Sequence, residues 1–453
     1  MVKLPRFGRL PGRIASRLRA RLIAQRRLWL RRWRARSVAG GDVLFPNAGR
    51  GAVAIETLAG IPGPDPSTTG DRGGPRIAIL HATAGSGHKR AAESLAAAIS
   101  EQRPDALVRE VDTLVFASRF YRGTYATSYN VMAARAPRLW AALYHSMAAP
   151  RVNRSTAPVR LAMDRLNLRR LVHVLEREQP DAVVCTHFLP VEVLSPRRGN
   201  GRMRVPLYCV ITDFTAHPVW AFPHVDRYFV ASEVVADELH GHGVPRERIE
   251  VAGIPVDLRF ASVLGRDAAR ARARLEPERP AVLVMGGGAG VGPLAELAGR
   301  LADLASQPQV VVVCGTNGRL RREVEALPAA REGRVRVLGF SREIDVLLEG
   351  CDVVVTKAGG LTCAEALIKR TPLVIFRPTP GQEVRNAEFL ERGHAAVMAE
   401  SIEDVEAGVT RWLSDRTALE AARAACGRLA HPDAAQVIAA HVLAGVRRDA
   451  QPA

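Results

Sequence analysis

The feature that most limits how this 453-residue chain can fold is a rhythm that runs through it twice: short apolar runs end in a polar residue, and helical segments separate them. The first series is RIAILHAT (76–83), ALVREVDTL, DAVVCTH (181–187), PLYCVITD (206–213) and DRYFVAS (226–232). The second is AVLVMGGGAG (281–290), QVVVVCGTN (309–317), VRVLGF (335–340), DVVVTKAGG (352–360) and TPLVIF (371–376). Continuous apolar runs alternating with helices predict parallel strands covered on both faces. The fold class is therefore α/β: two Rossmann-like, doubly wound domains that face each other across a cleft. The first domain is expected over 76–262 and the second over 281–453, with a closing helix near 432–445. RFASVLGRDAARARARL (259–275) falls at the change-over and places a hinge at 263–280.

Charge separates the body from what precedes it. The formal net charge is +18, yet residues 1–36 hold thirteen Lys and Arg and no acid, the first carboxylate being Asp42. This is a basic arm on a near-neutral body, joined by a Gly- and Pro-rich linker at 37–75. Within the arm Leu10, Ile14, Leu18, Leu22, Trp29 and Trp33 recur at helical spacing, with arginines on the other faces. Such a helix suits an anionic membrane surface, where each charge contributes roughly 1 kcal/mol; a solvated basic tail is the plainer alternative. A nucleic-acid binder would carry its basic residues along the cleft rather than on one arm, so no nucleic-acid partner is expected. No run is long and apolar enough to span a bilayer. The six cysteines show no metal-ligand spacing and read as buried apolar residues of a reducing compartment, so neither a metal nor a cofactor is expected.

Two glycine-rich turns in the second half point to a phosphate ligand, and a third turn points to a sugar. Met285-Gly-Gly-Gly-Ala-Gly-Val-Gly292 lies between strand and helix, where amides and a helix N-terminus approach a diphosphate closely. No Gly-Lys-Ser/Thr follows, which excludes a Walker-type site. In Lys357-Ala-Gly-Gly-Leu-Thr-Cys-Ala-Glu365, Gly359 and Gly360 make the turn and Thr362 is placed to donate to phosphate. Glu365 lies one turn further on, where a carboxylate can accept both ribose hydroxyls or be an ordinary helix residue. In Pro378-Thr-Pro-Gly-Gln-Glu-Val-Arg-Asn386, Gln382, Glu383 and Asn386 follow a turn that presents them to sugar hydroxyls or merely caps a helix.

Together these segments resemble the nucleotide-sugar half of GT-B glycosyltransferases. MGGGAGVGPL, VVCGTNGRL, VRVLGF, KAGGLTCAEAL and PGQEVRNAEFL resemble the monogalactosyldiacylglycerol synthase and processive diacylglycerol glucosyltransferase family, within glycosyltransferase family 28. So do GSGHKRAAESL, PDAVVCTH, ITDFTAHPVW, VDRYFVASEVVADEL and VAGIPVDLRF in the first half. The resemblance runs from about 76 to 400 and leaves out the arm and linker. It implies a UDP-hexose donor, a diacylglycerol or glycosyl-diacylglycerol acceptor, and inversion at the anomeric carbon. It further implies that uracil meets the backbone near Gly339 and Phe340, ribose Glu365, diphosphate the Gly287, Gly288 and Gly290 turn with Thr362, and hexose Gln382, Glu383 and Asn386. The first half is then the acceptor-binding domain.

Direct inversion needs a base opposite the leaving UDP. Asp213 ends its strand with its carboxylate directed at the cleft and is the first candidate. His88, at a helix N-terminus that favours neutral imidazole, is the second. Gly87, His187, His217 and Trp220 are expected along the acceptor path. The plain reading of Asp213 is a strand-end cap, that of His88 a helix N-terminal residue satisfying local backbone, and that of Trp220 a core residue. The expected function is a hexosyltransferase that makes glycolipid from a UDP-sugar, peripheral on the cytoplasmic face of the membrane. Transfer of N-acetylglucosamine to another lipid, or a catalytically silent lipid binder, are the alternatives.

Overall fold

The computed structural model describes residues 74–83, 86–123 and 150–449. The basic arm and the linker up to residue 73, on which the membrane-helix expectation falls, lie outside the described residues, as do Ala84 and Gly85.

Two six-stranded parallel sheets form the core. The first is built from β1 (Arg76–His81), β2 (Leu107–Asp112), β3 (Ala182–Cys185), β4 (Leu207–Val210), β5 (Arg227–Val230) and β6 (Ile249–Val251), in the spatial order β2-β1-β3-β4-β5-β6. The second comprises β7 (Ala281–Met285), β8 (Gln309–Val313), β9 (Val335–Leu338), β10 (Val353–Thr356), β11 (Leu373–Phe376) and β12 (Ala396–Ala399), in the order β12-β11-β10-β7-β8-β9. Composition explains the order of burial. AVLVM in β7 and LVIF in β11 are buried along their whole length, as central strands must be, whereas the edge strand LVREVD in β2 carries its charges partly in solvent.

In both sheets the chain runs outward from the first strand and then crosses back to its other side, at β1/β3 and at β7/β10. Ligands of open α/β sheets bind in the crevice beyond the strand carboxyl ends at such switch points. Every motif singled out above follows a strand, and the two phosphate turns at Gly286 and Lys357 flank the β7/β10 switch. The helices that build the cleft are α1 (Gly87–Gln102), α2 (Phe188–Gly199), α3 (Glu233–Gly241), α4 (Leu294–Ala302), α5 (Gly360–Ile368) and α6 (Gln382–Arg392).

The last helix, α7 (Ala434–Asp449), does not stay with the second sheet. Ala435, Ile438, Ala439, Val442 and Leu443 are buried in one apolar cluster with Ile77, Ile79, Leu95 and Ile99 of β1 and α1. The first half thus contains a piece of the chain's far end, and a single boundary near residue 281 does not divide the two cores. All six cysteines are buried free thiols. Among the described residues, no helix is long and apolar enough to cross a membrane and no group of three metal-ligating side chains is gathered.

Candidate active site

The turn after β7 is shaped by backbone crowding. A Cβ on Gly290 would lie 2.1 Å from the Cys314 carbonyl oxygen, and one on Gly315 would lie 2.3 Å from that of Gly288. Gly287, Gly290 and Gly292 all have positive φ, the conformation that glycine alone adopts at no steric cost. The neighbouring turn after β8 fastens this loop: Thr316 N donates to the Gly288 carbonyl at 3.0 Å, and Asn317 Nδ2 to that of Gly290 at 2.9 Å. Gly287 and Gly288 stay exposed at the mouth, while Gly290 is buried and shapes the loop from beneath.

At the second turn Gly359 caps α5 and Thr362 lies half-buried in its first turn. Gly360 is a tight approach between the halves. A Cβ there would fall 1.9 Å from the Thr212 carbonyl oxygen and 3.3 Å from Asp213 Oδ1. The N-terminus of α5, with its positive dipole end, therefore sits directly against the loop that follows β4. Glu365, one turn on, is only 1 % exposed, and its carboxylate accepts from the Arg90 guanidinium of α1, across the cleft. Burial pushes Glu365 up to about 7, against the pull of Arg90. Phe340, by contrast, is a 68 % exposed aromatic face beside half-buried Gly339 at the end of β9.

The third turn differs from expectation in one residue. Gln382 and Glu383 open α6 as the spacing predicts, and Glu383 Oε2 closes the turn by accepting from Thr379 N at 2.6 Å. Asn386 is fully buried, however. Its Oδ1 accepts from Phe214 N at 2.8 Å, and its Nδ2 donates to Asp213 Oδ1 and to the Ala358 carbonyl, both at 3.0 Å. Both amide hydrogens are thereby used, so the assignment of Asn386 to the donor hexose is replaced by a clasp between the halves.

On the acceptor side β4 stops at Val210, so half-buried Asp213 does not end the strand but lies in the loop that follows it, at the seam. Burial raises its pKa to about 6, the Asn386 amide opposes that rise, and the Glu383 charge adds to it. His88 sits in the first turn of α1, its Nδ1 2.7 Å from the Thr186 carbonyl and 3.0 Å from Thr212 Oγ1. A carbonyl can only accept, so Nδ1 carries the proton and Nε2 keeps its lone pair. Burial lowers His88 to about 4, leaving the ring neutral.

His187 stands edge-on to His88 at 4.6 Å and stacks on Phe188 at 4.5 Å, and Trp220 lies 6.4 Å from His88. These rings form one aromatic wall, but each is also anchored elsewhere. His187 and His217 are buried helix caps whose Nδ1 atoms accept from Leu189 N and Val219 N, and Trp220 is buried in the core. Both histidines thus cap the helices they begin. A Cβ on Gly87 would meet only Leu361 Cδ1 of the other half, at an ordinary 3.8 Å.

Three residues of this site were missed in the sequence: Ser86, whose Oγ lies over Gly288, Arg90 on Glu365, and Thr212 on His88. For Arg90 a signal existed, since it follows His88 by two residues in the first turn of a helix opening on the cleft. For Ser86 and Thr212 there was none, because their partners are remote in sequence.

Comparison with known proteins agrees with this geometry. Residues 88–256 match the family model for monogalactosyldiacylglycerol (MGDG) synthase, and residues 281–438 match the glycosyltransferase family 28 C-terminal domain. A processive diacylglycerol beta-glucosyltransferase of Bacillus cereus (strain AH187) is 32 % identical over 277 residues, covering 61 % of this chain and 71 % of that protein. Its counterpart from Bacillus subtilis (strain 168) is 34 % identical over 252 residues, or 55 % of this chain; there the chain spans 65 % of the relative's length. The crystal structure of MurG from Acinetobacter baumannii superposes with a TM-score of 0.50 over 82 % of this chain and 99 % of that one, at 15 % identity, a likeness of fold. With two matched halves in this order on two facing Rossmann-like sheets, the chain belongs to the GT-B family of MGDG synthases and processive diacylglycerol glucosyltransferases within glycosyltransferase family 28.

Proposed function

We propose that the chain is an inverting glycosyltransferase that moves a hexose from a UDP-sugar to diacylglycerol or a glycosyl-diacylglycerol at a membrane surface, making glycolipid. One observation carries this reading: Asp213 of the acceptor half lies against the N-terminus of α5 in the donor half. A base and a diphosphate cradle are thus set on two sides of one narrow seam. The names of the relatives supply the acceptor class.

The exposed amides of Gly287 and Gly288, Thr362 and the dipole of α5 meet the charge that builds up on the departing UDP. Phe340 offers a face for uracil, Glu365 is the ribose acceptor once Arg90 yields or shares it, and Gln382 and Glu383 face the hexose. Between the two base candidates, proton-transfer efficiency favours a pKa near the working pH. Asp213 at about 6 meets that condition better than His88 at about 4. His88 Nε2 then accepts a hydrogen bond from the acceptor, beside the aromatic wall. No metal is required by this scheme. The arm at 1–36 would hold the enzyme on anionic lipid at the cytoplasmic face, a reading that rests on its sequence alone.

The test is transfer from radiolabelled UDP-glucose, UDP-galactose and UDP-N-acetylglucosamine to vesicles containing diacylglycerol, with the linkage of the product determined. A β-linked hexosyl-diacylglycerol is expected. Lack of product from every donor overturns the enzyme reading in favour of a silent lipid binder. Vesicle flotation without residues 1–36 should show weaker binding to anionic lipid, and unchanged binding overturns the role of the arm.

A further inference from the structure

We propose that Asn386, on the donor side of the seam, is a positioning residue for Asp213, so that the helix whose first turn meets the donor hexose also aims the base. This rests on the assignment of Asp213 as base.

The amide's orientation is fixed by its partners. Phe214 N–H can only donate and the Ala358 carbonyl can only accept, which places Oδ1 on the former and Nδ2 on the latter. The second hydrogen of Nδ2 then points at Asp213 Oδ1. Adjacent turns of α6 hold the rest of the same loop. Phe389 stacks on Phe214 with centroids 5.0 Å apart and planes 15° from parallel. Arg385 pairs with Glu238 of α3, and Glu238 Oε2 in turn accepts from Ala216 N at 2.7 Å and Thr215 Oγ1 at 3.1 Å. Residues 213–216 are therefore gripped along one face of α6, and the tight approach of Gly360 to Thr212 leaves the loop no room to slide toward α5.

Several ionisable groups face this loop. Glu383 of α6 acts on Asp213 through its charge, and Cys363 of α5 is a thiol that burial keeps protonated. His88 of α1 is a neutral ring bonded to Thr212, and the Glu238–Arg385 pair is an internally compensated neighbour. Of these, burial and Glu383 favour the protonated acid, and the Asn386 amide is the hydrogen-bond donor that favours the carboxylate. Its loss both frees the carboxylate to rotate and raises its affinity for a proton.

The experiment is the pH profile of kcat, with UDP-glucose and diacylglycerol vesicles, for wild type, Asn386→Ala, the milder Asn386→Ser, and Asp213→Asn, with calorimetric UDP binding as the check of folding. For Asn386→Ala, kcat should fall about 10- to 100-fold while KM for UDP-glucose stays within about twofold, and the acid limb should move up by about one pH unit. Asn386→Ser should fall between, and it carries the test if the alanine variant does not fold. A raised KM for UDP-glucose with kcat intact returns Asn386 to the hexose and overturns the proposal, as does an unmoved acid limb. An acid limb that survives in Asp213→Asn instead overturns the base assignment on which the proposal stands.

Discussion

The two halves use the same device, a strand, a tight turn and a helix, for opposite purposes. In the donor half the turn after β7 is a backbone object: Gly290 has its carbonyl bonded from Asn317 and no room for a Cβ beside Cys314. In the acceptor half a Cβ on the first helical residue, Gly87, would meet nothing nearer than 3.8 Å, and the polar contacts are made by side chains, His88 and Arg90. Backbone amides suit a charge that is the same in every nucleotide sugar, whereas side chains can be exchanged without rebuilding the turn. A glycine is thus informative only when its surroundings are known.

The contrast can be broken at its ends. Asp213→Asn should cost about a thousandfold in kcat and leave UDP affinity within about twofold, since the lost group acts in proton transfer. Preserved turnover would shift the base to His88. Gly290→Ala should weaken UDP binding by about 10- to 100-fold, measured by calorimetry, because the new methyl forces the loop off the Cys314 carbonyl. Glu365→Gln should lower UDP affinity about tenfold, the worth of a hydrogen bond to a charged group. Gly87→Ala should change both activity and affinity less than about twofold, alanine being the better helix former. A loss there as large as that at Gly290 would erase the distinction between the halves.

Glu365 offers a second reading by stability. Its pKa is raised from the ordinary 4.5 to about 7, so between those values the folded protein holds a proton that the unfolded chain releases. Stability therefore falls as pH rises through this window. Glu365→Gln should flatten the decline in melting temperature between about pH 5 and 7 relative to wild type. An equally steep decline in the variant would mean that Arg90 already keeps Glu365 ionised.

The strands of the two series and the three donor turns were legible because local pattern determines them: β-branched runs, then glycines where the backbone must turn sharply. The short outermost strands β6 and β12 lay outside those series. Gly359, Gly360, Thr362 and Glu365 fall where the spacing put them. Sequence could not show that Asn386 faces Asp213, because the two are 173 residues apart and meet only when both sheets are built. Arg90 had a local signal, but its pairing with Glu365, 275 residues away, is hidden for the same reason. His187 and His217 carry a further role that the sequence did not show, since each ring satisfies an orphan amide of the helix it begins. The return of α7 to the first sheet was invisible for a simpler reason: an amphipathic helix records that it has an apolar partner, not which one.

That return has a consequence for assembly. The cover over Ile77, Ile79 and Ile99 is made by Ile438 and Val442, which follow every strand of both sheets in the sequence. That apolar face of the acceptor half must wait during synthesis until the donor half has been made, and the donor half can finish its own sheet in the interval. The returning helix works like a strap drawn back to its buckle, so that a message cut short before residue 434 yields an acceptor half without its cover, whatever its active-site residues.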